Sequence, residues 1–246
     1  MGLTGFARAA LERLGIHVES MRNSLGAHRT GVFRRCGINL VLDVGANTGQ
    51  YASEIRRDGY AGRILSFEPV ASAFSGLKQR SLGDPAWECI PTALGSIDAS
   101  AIINVSELSA ASSLLQVGVR SAKAAPETST VRTEVVSVRQ MDNVLRELGI
   151  HGQRSHLKMD VQGFEKEVLA GARQSLGQVR SIEIELSLAE LYKEQPLIGE
   201  MLQLLTALQF SPVWLSRGFS DPVSRDLLQV DCLLVRSEEP GGVTRS

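Results

Sequence analysis

Little in this sequence marks a secreted, membrane-spanning or nucleic-acid-binding protein. It has only three cysteines, Cys36, Cys89 and Cys232. They are odd in number, far apart and without a Cys-x-x-Cys spacing, which argues against a disulfide framework and a structural zinc site and suits buried thiols in a reducing cytoplasm. No apolar stretch approaches the roughly 20 residues needed to span a bilayer, and charges stand where a secretory signal requires an apolar core. Acidic and basic residues nearly cancel, 27 against 26, so no overall field draws the chain onto nucleic acid, and neutral small molecules or glycans suit it better. Internal repeats are absent. Only the tail, 238–246, has the Pro, Gly and charge content of a disordered segment.

What is present is an α/β rhythm, and 246 residues suit one main domain. Residues 1–36 read as a helical N-terminal extension. Leu3, Phe6, Ala10, Leu11, Leu14, Val18 and Met21 fall near helical spacing, a pattern that suits packing on the domain, a homodimer contact, a lid or peripheral membrane contact. The main domain, 37–237, opens with a strand at 39–44, a glycine turn and a helix from about 50, then a strand at 63–67 and a helix at 71–82, a β-α-β unit. A third strand is expected at 87–90, followed by polar-interrupted β segments at 101–105 and 131–138, with the Ser- and Ala-rich stretch 106–130 between them reading as a mobile loop. Alternation resumes with helices at 141–148 and 165–175, strands at 156–160 and 181–186, and a helix through about 201–208. An antiparallel hairpin of 211–215 and 227–235 closes the sheet.

The most informative stretch is Val41-Leu42-Asp43-Val44-Gly45-Ala46-Asn47-Thr48-Gly49-Gln50-Tyr51. Gly45 and Gly49 at a strand-to-helix turn allow close backbone approach to a ligand. Asp43 bears on which ligand, because an acid just before the glycines repels the pyrophosphate of a dinucleotide, whose site is usually spaced G-x-G-x-x-G. S-adenosylmethionine carries an ammonium and a sulfonium and no phosphate, so the same acid attracts it. Glu68, at the end of the next strand and followed by Pro69, is placed to accept hydrogen bonds from both ribose hydroxyls. Asp43, Gly45, Asn47, Gly49, Tyr51, Glu68 and Pro69 are therefore candidate cofactor residues. A nucleotide-cofactor oxidoreductase fits the glycine spacing less well, and a non-catalytic adenosylmethionine-binding scaffold would leave the acids described next without purpose.

A second stretch, Leu157-Lys158-Met159-Asp160-Val161-Gln162-Gly163-Phe164-Glu165, is a strand ending in Asp160 and a helix beginning near Gly163. Ligands of open α/β sheets bind beyond the carboxyl ends of strands, where Asp160 emerges. General base, ligand for a divalent cation such as Mg2+, orienting partner and plain helix cap are all compatible with it. Glu165 reaches the same region or serves the helix dipole. Glu183 and Glu185 share one strand face, and Glu185, nearer the carboxyl end, is the site candidate, with two hard oxygen ligands too few to demand a metal. His151 and His156 lie at the other end of their strand and read as structural. His17 and His28 belong to the extension, and a lid base at His28 is the less favoured reading.

These residues resemble the FkbM-type methyltransferases over about 38–236. Asp43-Val44-Gly45-Ala46-Asn47-Thr48-Gly49 is similar to that family's cofactor motif and Phe67-Glu68-Pro69 to its ribose-binding element. Ala93-Leu94-Gly95 resembles the segment bordering the adenine, Ser112-Ser113-Leu114 a loop near the cofactor, and 157–165 with Val168-Leu169-Ala170-Gly171-Ala172 the most specific match. Ala93, Leu94 and Ser113 join the cofactor set on this ground. Pro91-Thr92 departs from the family, which often has Asn there. The resemblance implies a class I, Rossmann-like sheet, mostly parallel with a C-terminal antiparallel hairpin and helices on both faces. It also implies methyl transfer to oxygen, commonly on sugars of polyketides, glycolipids or cell-envelope polysaccharides. A nucleic-acid acceptor is disfavoured, since no Asn/Asp-Pro-Pro-aromatic motif or basic stripe is present.

Overall fold

The computed structural model describes residues 24–237. The helix expected over 3–22, His17 and the tail 238–246 lie outside the described residues. In chain order the elements are α1 (Leu25–Cys36), β1 (Leu40–Val44), α2 (Gln50–Arg57), β2 (Arg63–Phe67), α3 (Ala71–Ser81), β3 (Trp87–Ile90), β4 (Ala93–Leu94) and β5 (Ala99–Ser106). Then come α4 (Val119–Ala124), β6 (Thr130–Arg139), α5 (Met141–Glu147), β7 (Ser155–Met159), α6 (Glu165–Ala170), β8 (Val179–Ser187), α7 (Ile198–Ala207), β9 (Phe210–Arg217) and β10 (Gln229–Arg236).

Seven strands form the main sheet in the order β3-β2-β1-β7-β8-β10-β9. All pairs from β3 to β8 are parallel, and β10 runs antiparallel to both β8 and β9. This is the expected mostly parallel sheet with a closing hairpin. β1 is buried over its full length, as a central strand covered on both faces must be. Helices α1 to α3 supply Val32, Phe33, Ala52, Ile55 and Leu77 to one face. Helices α5 to α7 supply Met141, Leu145, Val168, Leu169, Met201 and Leu205 to the other. The order reverses between β1 and β7, and at that switch point a crevice opens beyond the carboxyl ends of the strands. A second sheet, β4-β6-β5, stands beside the first. Among the described residues no helix is long and apolar enough to cross a membrane.

Two expectations fail. The stretch 106–130 is not a structureless loop: it contains a 3-10 turn at Ser109–Ala111, helix α4 and a second 3-10 turn at Pro126–Thr128. Bridges Asn104–Ser113 and Val117–Tyr192 tie it down. Its serines resemble linker composition, but Ser106, Ser113 and Ser121 are buried hydrogen-bonding groups. The Ser106 hydroxyl lies 2.8 Å from the Thr128 carbonyl, and Ser113 donates to the Gln162 carbonyl at 2.7 Å. The helix expected over 165–175 ends at Ala170, where Gly171 abuts Gly95 so tightly that a Cβ would lie 1.9 Å from the Gly95 carbonyl oxygen.

Across β2, β1, β7 and β8 the register aligns Ser66, Asp43, Lys158 and Glu183 in one row. Charges in that position need partners. Arg29 of α1, only 2% exposed, donates to Glu183 at 3.1 Å and also pairs with Glu54 and Asp58. Tyr51 donates to Glu183 at 3.2 Å and its hydroxyl lies 2.9 Å from His156 Nε2. Arg29 and Lys158 lie over the Tyr51 ring, 4.8 and 5.5 Å from its centroid. Burial holds His156 well below its ordinary pKa, as do the cations Arg29 and Lys158, and Ser181 bonds its other ring nitrogen. His156 is thus structural, as expected, and His28 stacks on Trp214 at 3.8 Å. Arg29→Ala leaves Glu183 buried without its nearest cation, and urea unfolding is expected to show a loss of about 3–5 kcal/mol.

Candidate active site

The crevice is a cleft with about 520 Å³ of empty space, part of it open to solvent. Gly45, Asn47, Glu68, Pro69, Ala93, Leu94, Ser113 and Asp160 all line it. Phe67, Leu114, Val161 and Phe164, which the quoted motifs contain without a role of their own, complete the apolar walls together with Val70 and Ile103, which the sequence did not single out. The hydrophobic residues flanking the Glu68-Pro69 and Asp160 motifs were the available signal. Glu68 is held by two backbone amides, Asn47 N–H at 2.8 Å and Val70 N–H at 2.8 Å. Each oxygen keeps a lone pair. Burial pushes its pKa up to about 7, with the two amides opposing. Asn47 accepts the turn's positive φ of 47°, which Asn tolerates better than most residues. Thr92, where the related family often has Asn, lines the cleft but turns its hydroxyl to the Ser137 carbonyl at 3.0 Å.

Three candidate cofactor residues lie elsewhere. Asp43 is fully buried under the cleft floor, accepts from Ser66 at 2.9 Å and leaves Oδ1 without a partner. Gly49 packs a would-be Cβ 2.9 Å from both Leu77 and Trp87, so packing alone already requires glycine there. Tyr51 belongs to the buried row beneath α1. Gly45 also has another reason than ligand approach: with φ +80°, its Cβ would lie 1.9 Å from the Asp160 carbonyl oxygen, so glycine lets the loops after β1 and β7 touch.

Asp160 and Glu185 do come together, through Gln162. The Gln162 amide donates to Asp160 at 2.6 Å and to Glu185 at 3.3 Å, while its oxygen accepts from the Tyr192 hydroxyl at 2.8 Å. Lys158 pairs with Asp160 at 3.2 Å, and Gln229 donates to Glu185 at 2.6 Å. Gln162, Glu185, Tyr192 and Gln229 line a second cavity of about 600 Å³, partly open, whose wall shares Ala110 with the first. Glu165 lines neither cavity. It braces the loop between them instead, accepting from Val161 and Gly163 N–H at 3.2 Å each.

Residues 43–212, more than half of the chain, match the Methyltransferase FkbM domain family. The chain belongs to this family. Its fold is similar to that of an O-methyltransferase structure described as putative, from Klebsiella pneumoniae, at 10% identity and a TM-score of 0.50, covering 94% of this chain and 88% of that one. Two further solved structures are an rRNA methylase from Streptococcus thermophilus (12% identity, TM-score 0.48, 89% and 100% covered) and a Burkholderia thailandensis 1,6-didemethyltoxoflavin-N1-methyltransferase (14%, 0.42, 88% and 80%). No protein of curated function matches.

A divalent metal does not fit this FkbM methyltransferase site. Among the described residues no group of three or more His, Cys, Asp or Glu is arranged to hold one, and Asp160 and Glu185 are already committed to Lys158 and the amides of Gln162 and Gln229. The acids in and beneath the site are instead held partly neutral. Burial raises Asp43 to about 6, Glu165 to about 7 and Glu185 to about 8, the last with help from Asp160 and Asp231. Lys158 is pulled down by burial, yet Asp160, Asp43 and Glu183 outweigh this and hold it above its ordinary value.

These raised acids retain protons that the unfolded chain, with ordinary values of 3.8 and 4.5, has already lost. Their stabilising contribution is complete in acid and disappears as pH rises through the folded values. His156 acts oppositely only below about its ordinary 6.5. Between pH 6.5 and 8 the cofactor-free protein should therefore lose thermal stability, most steeply near pH 6.5 and levelling off once Glu68, Glu165 and Glu185 have ionised; a flat or rising melting temperature across that window would contradict the assignment.

Proposed function

We propose that the chain transfers a methyl group from S-adenosylmethionine to a hydroxyl of a sugar-like small molecule or glycolipid. The carrying observation is the charge of the first cleft: its lining holds Glu68 and Asp160 and no Lys, Arg or His. Such a lining suits a cationic, phosphate-free nucleoside and repels pyrophosphate. Glu68 would take the ribose through the lone pairs its amide bonds leave free, with Val70, Leu94 and Phe164 against the base. When bound, adenosylmethionine supplies an electrophilic methyl group on its sulfonium.

The second cavity suits the acceptor. Leu108, Leu191, Tyr192 and Phe219 give it apolar surface, and Ser121, Thr128, Gln162 and Gln229 give it hydrogen-bonding groups, a mixture matched to a sugar ring. Its charged residues are Glu127 and Glu185, which opposes a nucleic-acid acceptor. Asp160, ion-paired with Lys158, orients the hydroxyl. Glu185 accepts its proton, since a base whose pKa is near the working pH is the effective one. The three free thiols suit a reducing, cytoplasmic setting.

The test is methyl transfer from isotopically labelled adenosylmethionine to a panel of free, nucleotide-linked and lipid-linked sugars. Turnover should rise with pH through about 8. Glu185→Gln should lower kcat by roughly 10²–10⁴-fold with calorimetric affinity for S-adenosylhomocysteine unchanged, and Glu68→Ala should weaken that affinity. Binding of NAD with no binding of adenosylmethionine would refute the reading.

A further inference from the structure

At the opposite end of the sheet, where the parallel strands begin, four arginines converge on one cavity. Arg35 comes from the last turn of α1, Arg154 precedes β7, Arg180 lies in β8 and Arg236 ends β10, and the lining of this space of about 1230 Å³, part of it open, includes no acid. No carboxylate among the described residues pairs with any of the four. Arg154 donates through Nε to the Cys36 carbonyl. Arg236 spends its guanidinium on the carbonyls of Val179, Leu208 and Leu176 and lies 4.4 Å over the Phe210 ring. These bonds satisfy donors and leave the charges uncancelled. Arg180 keeps a buried Nε with no partner at all. Burial and the neighbouring Arg180 hold Arg236 below its ordinary pKa, a sign of cations crowded without a counter-ion.

Arg236 and Gln209 also form one wall of an adjoining groove between α6 and α7. Its surface is Leu169, Ala170, Leu176, Leu204, Ala207 and Leu208, with Lys166 and Arg173 at the rim. A cationic cavity that opens onto an apolar groove matches a ligand with an anionic head and an apolar chain. Guanidinium groups are suited to phosphate oxygens, which they can bind through paired donors.

We propose that this end of the sheet binds a phosphate-bearing amphiphile, its headgroup among Arg35, Arg154, Arg180 and Arg236 and its acyl chain in the adjoining groove. Nothing in this depends on the catalytic reading. Docked there on an anionic lipid surface, the chain would direct both cavities of the active site away from that surface.

The test uses the full chain in sedimentation with phosphatidylglycerol or phosphatidylcholine vesicles and in calorimetry with pyrophosphate. Phosphatidylglycerol should retain the protein in a salt-dependent manner and phosphatidylcholine should not. Arg35→Gln and Arg180→Gln, whose side chains make no hydrogen bond or ion pair within the described residues, should each weaken vesicle binding about fivefold and together about 25-fold, with S-adenosylhomocysteine affinity unchanged. Ala207→Gln, an amide placed in the exposed groove, should weaken vesicle binding and leave pyrophosphate binding intact. Vesicle binding indifferent to both arginine substitutions would overturn the site, and pyrophosphate binding without vesicle binding would overturn the amphiphile.

Discussion

The structure depends on the neutralisation of charge inside its own sheet. Asp43, Lys158 and Glu183 lie side by side across β1, β7 and β8, where a lone charge would be prohibitively costly. Arg29 caps one end of the row from α1 and Ser66 the other from β2. Lys158 belongs to both worlds, since it reaches out of the row to Asp160 at 3.2 Å. The same pairing that lets charged residues lie under α1 therefore holds an acid at the mouth of the cleft, and the stability of the sheet and the geometry of the site share one set of contacts.

Much of the frame was legible because strand burial and turn chemistry leave local signatures. The apolar run of β1, the glycine turn after it and the acid at the end of β2 all lie within 30 residues, and the structure puts Gly45, Asn47 and Glu68 around one cleft. Long-range packing was not legible. Gly49 reads like a ligand-binding glycine, and its packing against Leu77 and Trp87 gives no sign in the sequence; Tyr51 reads like a cofactor residue, and the Arg29 guanidinium over its ring comes from more than 20 residues away. Neither contact has a sequence signature. The stretch 106–130 misled for a related reason: serine and alanine describe a linker and a tightly packed cover equally well, and only the buried bonds of Ser106 and Ser113 distinguish them.

The position of Asp160 beside the cleft was legible from its place at a strand end, whereas the hydrogen bonds of Glu165 were not. An acid in the first turn of a helix satisfies the helix dipole, can face a ligand or can brace a loop, and here the amides of Val161 and Gly163 take it. Gln162 emerges as the centre of the arrangement, with a positive φ of 55° that turns its side chain between two acids. One neutral amide separates two carboxylates that would otherwise repel each other across the seam between the cavities.

Glu185 receives both of its amide bonds, from Gln162 and Gln229, on the same oxygen. On the proposed reading, in which Glu185 takes the acceptor's proton, its other oxygen would be a single basic point at a fixed location, and the position modified on an acceptor would be a matter of reach. Remodelling the cavity wall would change which molecules enter, while the atom that reacts would still be whichever one arrives at that point, and regiochemistry and substrate range become separable properties of the same pocket.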